Sequence, residues 1–327
     1  MKRREFITLL ASAAFVRPSV AYAQPPPMPV IGVLCPGSPD GYRDVVAAVR
    51  QGLNETGYVE GRNLTIEYRW AEDHFDRLPA MAADLVHRQV MLIVTAGGTG
   101  TALAAKAATS TIPIVFVTGG DPLQSGVVAS LSRPGGNITG VTAFSEVLIQ
   151  KRFELLRELV PEAAVIGVLL NSSNPISTVR TIDMQAAARV VGQPIRILLA
   201  GSEKELETVF ATIVQERIGA LVVQADTLFT NLRHGLAALA ARHTVPAIYE
   251  FREQAVAGGL ISYGASHDDI YRQAGVYAGR VLNGAKPADL PVLRPTRFQL
   301  IINLKTARVL GLTIPPTMLA RADEVIE

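Results

Sequence analysis

The sequence predicts an α/β protein of two lobes, each a doubly wound parallel sheet. Three observations carry this. Short unbroken apolar runs recur along the chain, and a run without polar alternation suits a strand buried on both faces. Stretches with helical spacing separate them, the pattern of strand–helix–strand units. The series breaks near residues 143–147 and then begins again. No residue-level repeat relates the two halves, so any duplication is architectural.

In the first series, strands are expected at residues 29–34, 64–69, 91–95, 112–117 and 137–141. The helices between them fall at 43–56, 75–88 and 99–108. In the first, Val45, Val46, Val49 and Leu53 share one face, and Gly57 follows as a C-cap. The second series places helices at 149–160, 177–191, 203–216 and 228–242, with strands at 165–170, 195–199, 220–223 and 245–249. The tail is less regular. It has one long helix at 267–283, a strand at 298–303, and short helices at 305–310 and 315–321, and it could cross back between lobes.

The chain of 327 residues is 49% hydrophobic and 18% charged, a globular composition that excludes disorder. The single cysteine, Cys35, excludes a disulfide framework and reads as buried structure. Residues 1–23 have a basic head (Lys2, Arg3, Arg4), a short apolar run, and the end Ala21-Tyr22-Ala23, the three parts of an export signal. The apolar run is too short to span a bilayer of about 30 Å. Arg3-Arg4-Glu5-Phe6-Ile7 resembles a twin-arginine signal, although an ordinary secretory signal fits as well. No cysteine stands at the cleavage point to take a lipid. Cleavage before Gln24 removes Lys2, Arg3, Arg4, Arg17 and Glu5, leaving 27 basic against 28 acidic residues and a net charge of −1. The mature chain therefore has no basic footprint for nucleic acid. It is expected in the periplasm and not embedded in a membrane. Residues 24–27 read as a stiff proline tether.

In open parallel sheets, ligands sit beyond the carboxyl ends of the strands. Those ends are small, polar and rich in glycine here, and several run straight into a helix. Such a junction offers free N–H groups and partial positive charge to an anion. The candidate ligand-binding residues are Ser38, Gly98, Thr99, Gly119, Gly120 and Asp121 from the first lobe, and Asn171, Asp226 and Tyr249 from the second. Ser38, Gly98 and Thr99 could hold a carboxylate or phosphate. Asp226 could take an ammonium or hydroxyl group, and Tyr249 could stack on a ring. Each has a plainer alternative: Ser38, Thr99, Ser172 and Asp226 as N-caps, the glycines as turn formers, Tyr249 as core.

Enzyme motifs fail. Gly98-Thr99-Gly100 lacks the third glycine of a dinucleotide fingerprint, and neither a phosphate-binding P-loop nor a nucleophile elbow occurs. His74, His87, His234, His243 and His267 form no metal-ligand spacing and read as surface residues. No cofactor or metal is expected.

Several stretches, taken together and in order, carry a resemblance. They are Gly57-Tyr58-Val59-Glu60-Gly61-Arg62-Asn63, Ser132-Arg133-Pro134-Gly135-Gly136-Asn137-Ile138-Thr139-Gly140-Val141, Gly284-Ala285-Lys286-Pro287-Ala288-Asp289-Leu290-Pro291-Val292, Ile302-Asn303-Leu304-Lys305-Thr306-Ala307 and Gly311-Leu312-Thr313-Ile314-Pro315. From about residue 29 to the end, the chain resembles the substrate-binding proteins of bacterial ABC importers, of the tryptophan/tyrosine type. That resemblance implies the type I periplasmic-binding-protein fold: two lobes joined by a hinge, with the chain crossing between them three times. Lobe 1 would comprise 29–143 plus about 265–290, and lobe 2 would comprise 144–264 plus about 291–327. It implies a small-molecule ligand, an aromatic amino acid or aromatic acid, held in the cleft without catalysis, and a membrane permease as partner. Two alternatives use the same residues: a sensory protein that presents its ligand to a membrane receptor, and a periplasmic enzyme with Asp226 or Asp121 as base.

Overall fold

The structure, a computed structural model, describes residues 28–327 apart from the side chains of residues 146 and 147. The export signal and the proline tether lie outside the described residues.

The first lobe begins with Val30–Cys35 (β1), whose last five residues are all buried. Arg43–Glu55 (α1) follows and buries Val45, Val49 and Leu53 of the stripe its spacing predicts, with Ala48 beside them, while Val46 is only half-buried. Next come Thr65–Trp70 (β2), Leu78–His87 (α2), Leu92–Thr95 (β3), Thr99–Ala108 (α3), Ile114–Thr118 (β4) and Ile138–Thr142 (β5). The strands form a parallel sheet in the order β2-β1-β3-β4-β5.

The second lobe contains Ile149–Leu159 (α4), Ile166–Leu170 (β6), Ser177–Val190 (α5), Ile195–Leu199 (β7), Glu203–Gln215 (α6), Ala220–Val223 (β8), Thr227–Asn231 (α7), Arg233–Arg242 (α8), Ala247–Tyr249 (β9), Arg252–Val256 (α9) and Ile261–Ala265 (β10). The chain ends with His267–Leu282 (α10), Phe298–Asn303 (β11), Leu304–Val309 (α11), Pro316–Leu319 (α12) and Glu324–Ile326 (β12). The second sheet runs β12-β11-β10-β9-β8-β6-β7. Its portion β7-β6-β8-β9-β10 repeats the strand order of the first sheet, so the two lobes share one winding. This is the two-lobed type I periplasmic-binding-protein architecture.

Several details depart from the sequence reading, among them the short strand β12, which adds to the edge at β11. The helix expected over 228–242 is two, α7 and α8, which meet at Leu232. A strand missed by the sequence reading, β10, completes the winding. Its Gly264 is needed there, because a Cβ would lie 2.3 Å from the Glu250 carbonyl oxygen. Strand β11 pairs antiparallel with β10, so the second sheet is mixed.

The chain passes between the sheets after β5, after β10, and between Leu293, which bridges to Val141, and β11. Helix α10 packs in the first lobe's core, where Ile270, Tyr271, Ala274, Tyr277 and Ala278 join residues of β1 and α1. Two glycines set its approach to α1. A Cβ at Gly52 would lie 1.9 Å from the Arg272 carbonyl oxygen, and one at Gly275 would lie 2.2 Å from that of Val49. The backbones touch there, which justifies glycine's helix penalty of about 1 kcal/mol. Among the described residues, no helix is long and apolar enough to cross a membrane.

Candidate functional site

The strand order reverses between β1 and β3 in the first sheet and between β6 and β8 in the second, the positions where open α/β sheets open a crevice. These two edges face each other across one pocket. The first lobe supplies Tyr42, Gly97–Thr99, Val117–Gly119, Ala143, Ile270 and Tyr271; the second supplies Asn174, Ile176, Arg180, Ala225–Thr227, Thr230 and Phe251, with His267 at the crossing. The space around these residues, open solvent included, is about 620 Å³.

The first lobe's wall is mostly backbone. Gly97 and Gly98 have φ of +79° and +107°, and Gly98 is the N-cap of α3 without a side-chain cap. A side chain at Gly97 would collide with the Pro36 ring, whose Cγ lies 2.3 Å from the Cβ position. The first-turn amides of α3 therefore lack intrahelical partners and have no side chain above them. Tyr271 supports this turn by accepting the Gly97 N–H at 3.0 Å. Burial raises the pKa of its phenol, which stays neutral.

The second lobe's wall carries charge. Asp226 is the N-cap of α7. Its Oδ1 accepts from Leu228 N at 3.0 Å and from Asn171 Nδ2 at 2.7 Å, and its Oδ2 accepts from Asn174 Nδ2 at 2.7 Å. The carboxylate is thus fixed by β6, the loop after it and α7, with one lone-pair direction of Oδ2 left over. Arg180, on the first turn of α5, is 8% exposed, yet its Nε and Nη1 have no hydrogen-bond partner. Its Nη2 points at Gly119, 3.3 Å from where a Cβ would stand. A buried guanidinium without an acceptor is costly, and Arg180 is held in this state facing the pocket.

Behind it lies a closed ion pair. Arg152 and Glu250 are 0% and 1% exposed at the side chain, with Nη2 3.2 Å from Oε2. Ser145 Oγ donates to Glu250 Oε1, and Arg152 Nε donates to the Tyr263 carbonyl at 2.8 Å. Burial lowers the pKa of Arg152; Glu250 opposes this and the nearby charge of Arg180 adds to it. Two buried cations therefore stand near one another: Arg152 is paired with Glu250, while the charge of Arg180 acts on Asp183, three residues on in the same helix, and lowers its pKa against the rise that burial causes. The ring contacts complete the wall. Phe251 stacks on His267 at 4.1 Å, and His267 meets Tyr271 edge-on at 4.9 Å.

Of the predicted site residues, Gly98, Thr99, Gly119 and Asp226 line the pocket. Asn171 acts one step back by holding Asp226. Ser38 does not line it; its Oγ accepts the Gly41 N–H and shapes the turn before α1. Gly120 is buried, and its carbonyl accepts from Thr118 and Thr142 hydroxyls. Asp121 closes its own loop through Leu123 N. Tyr249 is 1% exposed and packs among Phe210, Phe229 and Leu236 in the second lobe's core, so it offers no ring to the pocket. Phe251, two residues on, does that. Sequence reasoning missed Arg180, Phe251, Tyr271 and His267, the last read as surface. Capping, the alternative for four polar residues, occurs only at Asp226; Ser38, Thr99 and Ser172 are not N-caps. Among the described residues, no group of three His, Cys, Asp or Glu could hold a metal ion.

The model of the ABC transporter substrate binding proteins matches residues 30–326. The chain belongs to that family. This substrate-binding protein is 28% identical, over 80% of its length and 75% of the relative's, to the tyrosine-binding protein of Clostridioides difficile. Two solved structures are similar over 91% of this chain and 99% of theirs. One is a Streptococcus pneumoniae ABC domain in complex with L-Trp, 27% identical with a TM-score of 0.80. The other is a conserved domain protein from Vibrio cholerae, 26% identical with a TM-score of 0.83.

Proposed function

We propose that this substrate-binding protein captures a small carboxylate-bearing molecule, an aromatic amino acid or aromatic acid, between its lobes and delivers it to an ABC importer's permease. The observation that carries the reading is Arg180, a buried guanidinium with no acceptor facing the pocket. A ligand carboxylate supplies the missing acceptor. The first-turn amides of α3 at Gly98 and Thr99 receive it from the opposite lobe. An amine, where the ligand has one, goes to the remaining direction of Asp226 Oδ2. The faces of His267, Phe251 and Tyr271 suit a ring.

The lobes supply complementary halves, so the ligand completes its contacts only on closure, and its preference for the closed form shifts the population. A micromolar dissociation constant requires about 8 kcal/mol. Charge-assisted hydrogen bonds at about 1.5–3 kcal/mol each, with ring burial, supply this. Export across the inner membrane by the twin-arginine route places the mature chain, from about Gln24, in the periplasm. The C. difficile and S. pneumoniae relatives, named for tyrosine and complexed with L-Trp, support an aromatic amino acid. Thermal melts of the mature chain with L-tryptophan, L-tyrosine, L-phenylalanine and the corresponding aromatic acids test the reading. Ligand at 100 times its dissociation constant stabilises by about 2.7 kcal/mol. No rise with any of these acids refutes it.

A further inference from the structure

A second polar contact joins the lobes away from Arg180. Asn231, the last residue of α7, donates its Nδ2 to Asp73 Oδ2 at 3.0 Å. Asp73 belongs to the first lobe, in the loop after β2. The other oxygen of each group, Asp73 Oδ1 and Asn231 Oδ1, is buried and has no donor. Each is a buried acceptor without a proton, on groups already joined by one bond. A neutral carboxyl group carries that proton as an O–H donor.

The backbone aims both groups. Glu72 and Asp73 have φ of +54° and +64°, in the left-handed region that few non-glycine residues occupy. Their N–H groups are held by the Gly37 and Pro36 carbonyls. On the facing side, Asn231 Oδ1 sits over Gly41, where a Cβ would come within 1.6 Å of it. Any larger residue at 41 would displace the amide.

We propose that Asp73 and Asn231 form a proton-operated latch between the lobes: closure brings them together, and a proton taken from solvent onto Asp73 Oδ1 completes the pair by donating to Asn231 Oδ1. The surroundings favour it. Burial raises the pKa of Asp73 and the charge of Asp226 adds to this, while the Asn231 bond and His74 oppose it. The other charges nearby are engaged elsewhere. Glu72 lies 3.7 Å from Arg77, Asp40 lies 3.1 Å from Arg43 on the turn that holds Gly41, and Arg233 donates to the Thr230 carbonyl at 3.1 Å. Opening returns Asp73 to water and its pKa toward the ordinary value, so the closed form holds the proton more tightly. Closure is therefore favoured as pH falls and lost as pH rises, by at most about tenfold in the closed-to-open ratio per pH unit for one proton.

The latch goes beyond the ligand reading and does not depend on it, so it is tested on the mature protein without ligand. Small-angle scattering at pH 5 and pH 8 reads the separation of the lobes. The wild type is expected to be more compact at pH 5. Asp73→Asn, whose amide supplies the donor at every pH, is expected to be compact at both. Asn231→Ala is expected to be expanded at both. An unchanged wild-type radius of gyration overturns the proposal. So does a pH response that survives in Asp73→Asn or Asn231→Ala, because it would belong to another group such as His74.

Discussion

The hydroxyl of Tyr42, at the head of α1, lies 2.7 Å from the hydroxyl of Thr227, the first residue of α7. One belongs to each lobe, and both residues are 4% exposed. Opening the cleft breaks this bond and wets both groups. Tyr42→Phe should therefore weaken ligand binding by about 0.5–1.5 kcal/mol, the net worth of one hydrogen bond. Calorimetric titration measures the loss, and the melting temperature of the ligand-free protein should stay close to wild type.

Arg180 separates binding from folding more sharply. Arg180→Met removes a buried guanidinium that has no hydrogen-bond acceptor and interacts with Asp183 only through charge, so the ligand-free fold should stay close to wild type in stability. Affinity for a carboxylate ligand should fall by about 1.5–3 kcal/mol. Melting curves with and without ligand give both numbers. A large loss of stability in the ligand-free protein would mean that Arg180 is a structural residue.

The Arg152–Glu250 pair predicts the opposite pattern. Arg152→Met alone leaves the buried Glu250 carboxylate uncompensated and should cost about 3–5 kcal/mol. Adding Glu250→Gln should recover most of it, since a buried pair is often replaceable by uncharged groups at little net cost. Urea unfolding of the two single variants and the double variant measures the coupling.

The α1–α10 crossing predicts a third pattern, stability without binding. Gly275→Ala pushes a methyl group toward the Val49 carbonyl. It should destabilise the first lobe by about 1–3 kcal/mol, read as a lower melting temperature. The same substitution at Gly284, with φ +95° and nothing within 4 Å of the Cβ position, meets only backbone strain.

The winding was legible because parallel strands buried on both faces leave unbroken apolar runs, as in β1, β3 and β4. β10 was not, because Ser262 and Gly264 interrupt its run, and Gly264 is there for the Glu250 carbonyl. At the site, the glycine turn of 97–98 and Asp226 announced themselves by lying between a strand and a helix. Arg180 did not. It shares its helix with Arg189, and no local pattern separates a guanidinium turned into a pocket from one in water. The sequence points to Tyr249 rather than Phe251 because position along a strand tells which residues alternate, not where a three-residue strand ends. The Asp73–Asn231 contact joins residues 158 apart, which no local reading reaches.

In the proposed function, Arg180 holds a ligand carboxylate between the lobes. A calorimetric double cycle tests it most directly, pairing wild type and Arg180→Met with the best-stabilising acid and with its carboxamide. The acid should bind wild type at least tenfold more tightly than the carboxamide does, and Arg180→Met should abolish this preference. An acid preference of equal size in both proteins would contradict it.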